Sequence, residues 1–165
     1  MSSYNSINDK NSYNRAKNVL EQYVKVAFEE LGYIVRDATV IEDMKNHSDL
    51  YIIGKNNVYK QPFGIDVKGN EKSKRFSNRV TFTKISKTGK LFIPNSNNFF
   101  AFVDECNYEI YIINQVKFFK LTENFILHKS TKNNSRFIWV EKQFLRDNAI
   151  RIIKPSNKLY SMLND

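Results

Sequence analysis

Residues 64–69 have the sequence Gly-Ile-Asp-Val-Lys-Gly and end a run of strand-forming residues that begins at Val58. Because side chains alternate along a β-strand, Asp66 and Lys68 lie on one face and the apolar residues next to them lie on the other. A rigid strand therefore presents a carboxylate and an ammonium group side by side. Both the predicted fold and the predicted chemistry start from this segment.

Further strands are predicted on both sides of it. Upstream, residues 33–40 and 49–53 are rich in β-branched and aromatic residues, and Pro62 is expected to interrupt or bend the strand over 58–68. Downstream, the predicted strands are 99–103, 108–113 and 137–140.

A helix is predicted over 12–31, where apolar residues recur at spacings of three and four, with Ser12 as its N-cap and Gly32 as its C-cap. Shorter helices are predicted over 141–147 and 155–163. The expected fold class is α/β, with a mixed central β-sheet flanked by helices. We predict one domain over 15–165, preceded by a flexible arm over 1–14 that is rich in Asn and Ser.

The positive charge is concentrated in one part of the chain. The protein carries 26 Lys and Arg against 17 Asp and Glu, a formal net charge of +9, and residues 68–90 alone contribute +7. Such clustering favours a polyanionic partner, although a solvated basic surface is the simpler alternative. We call residues 69–95 the basic insert. Its predicted phosphate-binding residues are Lys72, Lys74, Arg75, Arg79, Lys84, Lys87 and Lys90, and Phe76 and Phe82 are candidates for contact with nucleic acid.

Several other classes of protein are disfavoured. Cys106 is the only cysteine, which excludes an internal disulfide and, with two histidines, disfavours a structural zinc site. The sequence has no signal peptide and no apolar run of about 18 residues, so we expect no membrane partner and a cytoplasmic location. Its Asn-, Lys- and Ile-rich composition is typical of an AT-rich bacterial or phage genome.

Asp49 begins the predicted strand over 49–53, and Asp66 lies on the next predicted strand. The two carboxylates can therefore meet at one end of the sheet. Two carboxylates about 4 Å apart repel by about 4 kcal/mol at an effective dielectric constant near 20. A divalent cation removes that conflict, and hard oxygen ligands favour Mg²⁺, with Mn²⁺ as a substitute. Lys68 is then available to a phosphate or to an attacking water.

Asp49, followed seventeen positions later by Asp66-Val67-Lys68, resembles the motif of the PD-(D/E)XK nuclease superfamily. Glu21, eleven residues before Gly32, is similar in position to the acidic residue on the leading helix of that superfamily's Holliday-junction resolvase-like members. The strands at 100–104 and 110–113 resemble those that follow the motif in restriction-endonuclease-like members. The chain departs from the pattern at Ser48, where the family often has proline.

This resemblance implies a restriction-endonuclease-like core and Mg²⁺-dependent hydrolysis of phosphodiester bonds. Asp49, Asp66 and the carbonyl of Val67 are the implied metal ligands. Lys68 is implied to position or activate water, and Glu21 to bind a second metal or orient a metal-bound water. The predicted substrate is DNA, with RNA as an alternative.

Two selectivities are compatible with this reading. The small size favours a structure-selective, junction resolvase-like endonuclease over a small restriction-type enzyme, and both kinds are expected to act as homodimers. A non-catalytic nucleic-acid-binding module is the alternative from a different functional class.

Each candidate also has a purely structural interpretation. Glu21 could be an ordinary solvated residue of the leading helix, where Glu29 and Glu30 compete with it as the acidic residue, and Asp49 could be a turn residue at the entry to its strand. His47 is either a proton carrier beside the site or, more simply, a surface residue. Asp66 and Lys68 could form an ordinary cross-strand pair that contributes a few tenths of a kcal/mol.

Overall fold

The computed structural model of the chain describes residues 19–69, 78–154 and 156. Its helices are α1 (Glu21–Glu30), α2 (Val40–Asn46), α3 (Gln115–Leu121) and α4 (Lys142–Asn148). Its strands are β1 (Tyr33–Asp37), β2 (Leu50–Lys55), β3 (Val58–Gly69), β4 (Arg79–Ile85), β5 (Phe99–Asp104), β6 (Glu109–Asn114), β7 (His128–Lys129), β8 (Arg136–Glu141) and β9 (Arg151–Ile153). The predicted arm over 1–14, the first part of the leading helix and the predicted helix over 155–163 lie outside the described residues.

The central sheet has six strands in the order β1-β2-β3-β5-β6-β9. Neighbouring strands are antiparallel except β3 and β5, which are parallel. The predicted fold class, a mixed sheet in an α/β domain, is therefore confirmed. The connection from β3 to β5 contains β4, which pairs with β8 and β7 in a separate three-stranded sheet.

Helix α1 covers one face of the central sheet. Its buried residues include Tyr23, Val24 and Ala27, which pack in one cluster with Ile65 of β3 and other residues of the central strands. Helix α1 ends at Glu30 with Leu31 as its C-cap, and Gly32 follows with a φ of 91°, which is accessible to glycine without strain. The predicted C-terminal end of the leading helix, at residue 31, therefore lies within one residue of the observed end.

The opposite face packs against the second sheet and α3. Phe82 of β4 is 1% exposed, and its ring centroid lies 5.0 Å from that of Phe100 and 4.9 Å from that of Phe118. Phe82 is thus a core residue, and its predicted contact with nucleic acid is wrong. Phe76 lies outside the described residues.

Two predicted strands differ in detail from the structure. The first strand ends at Asp37 because Thr39 forms a capping box with Glu42 and starts α2, a helix that the sequence analysis did not predict. Strand β3 continues through Pro62, which is exposed and lies where the pairing with β2 shifts register between Ile52 and Gly54. The missing N–H of proline is tolerated at such an irregularity.

In the part of the chain that is described, no helix combines the length and the apolar character needed to cross a membrane.

Candidate active site

Asp66 and Lys68 lie on the face of β3 that is turned away from α1. Strand β3 pairs with β5 in a register that places Asp66 beside Phe100 and Lys68 beside Phe102, and both phenylalanines belong to the core beneath the second sheet. Asp66 is only 5% exposed, whereas the Lys68 side chain is 36% exposed. The predicted sharing of one strand face is therefore observed, with the carboxylate buried and the ammonium group reaching toward solvent.

Two hydrogen bonds fix Asp49 against β3, and a third joins it to the segment that follows β1. Its backbone N–H donates to the carbonyl of Ile65 (2.8 Å), and its own carbonyl accepts from the N–H of Ala38 (2.9 Å). Its carboxylate oxygen Oδ2 accepts from the N–H of Val67 (2.7 Å). The Asp49 and Asp66 carboxyl groups lie close enough to affect each other's pKa. The two aspartates predicted to converge do so.

The environment of this pair opposes two negative charges. Burial, together with the negative charge of Asp66, raises the pKa of Asp49 to about 6. Burial also raises the pKa of Asp66, while the positive charge of Lys68 acts in the opposite direction. The carboxyl groups therefore retain a proton more readily than exposed aspartates do, and a cation beside them would favour their ionised forms.

Lys68 bridges the acidic pair and an aromatic wall. Its Nζ lies 3.4 Å from Oδ2 of Asp66. The same atom lies 5.5 Å from the ring centroid of Phe82 and 5.8 Å from that of Phe92. The rings restrict where the ammonium group can move, and so hold it next to the carboxylates.

Asn98 is a structural support for the site that the sequence analysis missed. Its Oδ1 accepts from the N–H of Gly64 (3.0 Å), and its Nδ2 donates to the hydroxyl of Ser48 (3.1 Å) and the carbonyl of Asn46 (3.3 Å). A Cβ on Gly64 would lie 2.9 Å from Oδ1 of Asn98, so glycine is needed for this close approach. Asn98 thereby ties the segment that precedes Asp49 to β3.

The asparagines over 95–98 are typical of an exposed loop, yet Asn98 is only 4% exposed. The composition of this segment gave no signal of that role. Ser48, which stands where proline is frequent in the resembled family, is fully buried and accepts the Asn98 hydrogen bond.

His47 connects the acidic pair to a neighbouring groove. It ends α2 in the left-handed region, with φ of 49°, and its ring stacks on Phe92 at 4.2 Å. Burial, followed by the positive charges of Lys68 and Lys90, lowers its pKa. His47 is therefore a half-buried residue at the end of α2, close to Lys68, and its role as a proton carrier stays a prediction.

Glu21 is not brought into the same cluster. It begins α1, which packs on the opposite face of the sheet, and the preceding Leu20 covers Gly69 at the end of β3. Across residues 19–69, 78–154 and 156, no group of three or more His, Cys, Asp and Glu side chains is placed to hold one metal ion. The role of Glu21 as a metal ligand stays a prediction. Glu29 and Glu30 are exposed at the other end of α1.

The donor set nevertheless suits a hard divalent cation. Asp49 and Asp66 supply carboxylate oxygens whose ionisation is disfavoured in the protein alone. The carbonyl of Val67 points to the same side of β3 as its N–H, which donates to Asp49. Magnesium commonly takes one or two carboxylates and completes its coordination with water, so these three groups fit Mg²⁺ or Mn²⁺.

The predicted phosphate-binding residues fall into different environments. Arg79 packs its guanidinium 3.7 Å from the ring centroid of Trp139. Lys84 donates to the carbonyl of Thr122 (3.0 Å), and burial lowers its pKa, so its ammonium group has a structural contact at the end of α3. Lys87 and Lys90 are exposed. The remaining three, Lys72, Lys74 and Arg75, lie outside the described residues.

Comparison with known proteins gives one structural likeness. No protein-family model matches the chain, and no curated protein matches it. Among solved structures the chain is similar to D212, a nuclease from a fusselovirus, with 14% sequence identity and a TM-score of 0.41 over 98% of this chain and 87% of that chain. We therefore base the function on the side chains of the candidate active site.

Proposed function

We propose that the protein is a metal-dependent nuclease that hydrolyses phosphodiester bonds in nucleic acid, with DNA as its substrate. The observation that carries the proposal is the convergence of the Asp49 and Asp66 carboxyl groups beside Lys68. Burial disfavours two adjacent negative charges there, which is the condition that a bound cation relieves. The exposed Lys90 lies close enough to His47, two residues before Asp49, to lower its pKa, and can help to attract a phosphate chain.

The chain's own residues divide the work. Asp49, Asp66 and the Val67 carbonyl would hold the metal, and the hydrogen bond from the Val67 N–H keeps Asp49 oriented. Lys68, confined by aromatic rings, places a positive charge where negative charge develops on the phosphate oxygens. A bound Mg²⁺ or Mn²⁺ ion would supply Lewis-acid polarisation of the phosphate and a water of lowered pKa.

The proposed selectivity is for branched DNA, as in junction resolvases, with a small restriction-type endonuclease as the variant. Cutting both strands of a junction or of a duplex requires two active sites, so we propose a homodimer. Comparing four-way junctions, flaps and plain duplex tests the selectivity. Equal rates on all three would reject the resolvase version while leaving the nuclease in place.

The central test is cleavage of plasmid and branched DNA with and without Mg²⁺. We expect Asp66→Asn and Lys68→Ala each to lower the rate by at least about 100-fold, because each removes a group that acts on the reacting phosphate. Lys60→Ala is the matched control, since this exposed lysine lies on the same strand, roughly 26 Å away at 3.3 Å per residue. Circular dichroism checks the fold of each variant. Cleavage at the wild-type rate by either site variant would reject the assignment.

One observation favours the binding-module alternative: the described residues place no third metal-ligating acidic or histidine side chain with the Asp49–Asp66 pair. A binding module would show salt-sensitive binding to DNA and no cleavage in either Mg²⁺ or Mn²⁺. Cleavage by the wild-type chain that disappears in Asp66→Asn excludes this alternative.

A further inference from the structure

A groove of about 500 Å³ lies beside the candidate active site, between the end of α2 and the segment that joins β4 to β5. We call it the α2 groove. Its lining includes Lys45, Asn46, His47, Lys90, Leu91 and Ile93. A volume of this size is within the usual range for ligand-binding clefts.

The groove and the acidic pair are continuous through His47. This residue lines the groove, stands two residues before Asp49, and stacks on Phe92 at 4.2 Å. The Phe92 ring in turn lies 5.8 Å from Nζ of Lys68. A chain that places one phosphate at Lys68 can therefore extend directly into the groove.

Two exposed lysines give the groove the charge that a phosphate chain requires. Lys45 lies on the α2 side, and Lys90 lies on the opposite side. Lys90 is held by backbone contacts with Ser86, because the Ser86 N–H donates to the Lys90 carbonyl (2.9 Å) and the Lys90 N–H donates to the Ser86 hydroxyl (3.1 Å). At the end of α2 the carbonyl of Asn46 accepts from Asn98, so this helix end has a protein donor of its own.

The same groove has an apolar wall. Leu91 is 62% exposed and Ile93 is 75% exposed. Exposed aliphatic side chains of this size can contact the sugars and base faces of a nucleic acid. They would contribute nothing to the binding of small counterions. The combination of two lysines and an aliphatic wall fits a nucleic-acid strand better than a free anion.

We propose that the α2 groove binds the substrate strand on one side of the scissile phosphate. Lys45 and Lys90 contact successive phosphates, and Leu91 and Ile93 contact the sugars and bases between them. This inference rests on the proposed nuclease function and adds the path of the strand, with Lys45, Leu91 and Ile93 as new binding residues.

The test measures binding without cleavage, in EDTA, by fluorescence anisotropy of a labelled four-way DNA junction over a range of salt concentrations. Lys45→Gln and Lys90→Gln should each make the negative slope of log K against log[salt] shallower by about 0.9. Each should also weaken binding about five- to tenfold at 0.1 M salt. Ile93→Ser should weaken binding and leave the slope unchanged, because it removes no charge. Lys60→Gln, at the far end of β3, should change neither quantity.

A second measurement locates the contact. Single neutral methylphosphonate linkages are placed along one strand, one position at a time, and binding is compared between the wild type and the two lysine variants. We expect the penalty for neutralising one or two phosphates next to the cleavage site to disappear in the variants. The loss of that penalty identifies the phosphates that the lysines contact.

The two proposals fail in different ways. If the wild type cleaves DNA in Mg²⁺ but the lysine variants keep the wild-type affinity and salt slope, the groove proposal is overturned and the nuclease proposal stands. If the lysine variants lose affinity and slope but no metal supports cleavage, the groove binds DNA and the nuclease proposal is overturned.

Discussion

Replacing Asp49 with asparagine should stabilise the metal-free protein while abolishing cleavage. The pKa of Asp49 is raised from 3.8 to about 6, a shift of about two units, and each unit corresponds to about 1.4 kcal/mol. Ionised Asp49 therefore costs the folded state up to about 3 kcal/mol at pH 8. Part of the cost of ionising this buried pair belongs to Asp66 and remains in the variant. We therefore expect Asp49→Asn to raise the free energy of unfolding by about 1 to 3 kcal/mol. The amide oxygen of asparagine can still accept from the N–H of Val67, so that hydrogen bond is retained.

The pH dependence of this effect has a definite sign. Between about pH 4 and pH 6 the folded protein keeps a proton on Asp49 that the unfolded chain has released, so the wild type loses stability as the pH rises through this window. In Asp49→Asn this loss is absent. The difference in stability between variant and wild type should therefore be smallest near pH 4 and reach its full value above pH 7.

Urea unfolding in EDTA, followed by circular dichroism at several pH values, measures the difference. Asp147→Asn is the control, because Asp147 is exposed and its carboxylate accepts a surface hydrogen bond from Gln143. Added Mg²⁺ should stabilise the wild type at pH 8 more than it stabilises Asp49→Asn. A variant less stable than the wild type at pH 8, or a difference that does not change between pH 4 and pH 8, would refute the electrostatic reasoning.

Three further predictions concern the surroundings of the site. Asn98→Ala should lower the free energy of unfolding by about 1 to 3 kcal/mol in urea unfolding, because it leaves a buried backbone N–H without an acceptor, and should slow cleavage more than it weakens DNA binding measured by anisotropy. Lys142→Met should cost about 3 to 5 kcal/mol in the same unfolding assay, because it leaves Asp104 buried without its 2.8 Å ion-pair partner; the double variant with Asp104→Asn should recover part of that loss. Lys84→Gln should leave the salt dependence of DNA binding unchanged, since its ammonium group is bound to a carbonyl. Lys87→Gln, at an exposed position of the same window, should reduce the magnitude of the slope of log K against log[salt] by about 0.9.

The sequence predicted those parts of the fold that local patterning controls. The alternation in residues 64–69 placed Asp66 and Lys68 on one face, and the turn at Gly32 ended the leading helix, because both depend on backbone geometry within a few residues. The convergence of Asp49 with Asp66 was also predictable. It required only that the two strands be neighbours and that both residues lie at the same end of the sheet.

Contacts between distant segments were not predictable in this way. Asn98 lies 34 residues from Gly64, and only the parallel pairing of β5 with β3 brings them together. The same limit applies to Phe82. Its position among basic residues indicated a nucleic-acid contact, but the pairing of β4 with β8 turns its side chain into the core.

Strand β4 serves two purposes at once. Val80 and Phe82 are buried, while Thr81 and Thr83, which alternate with them, are exposed. The outward positions can therefore take charged residues in place of threonine at little cost in stability. The inward positions have no such freedom, because Phe82 also forms part of the wall beside Lys68, and a change there would shift the Lys68 ammonium group through the packing.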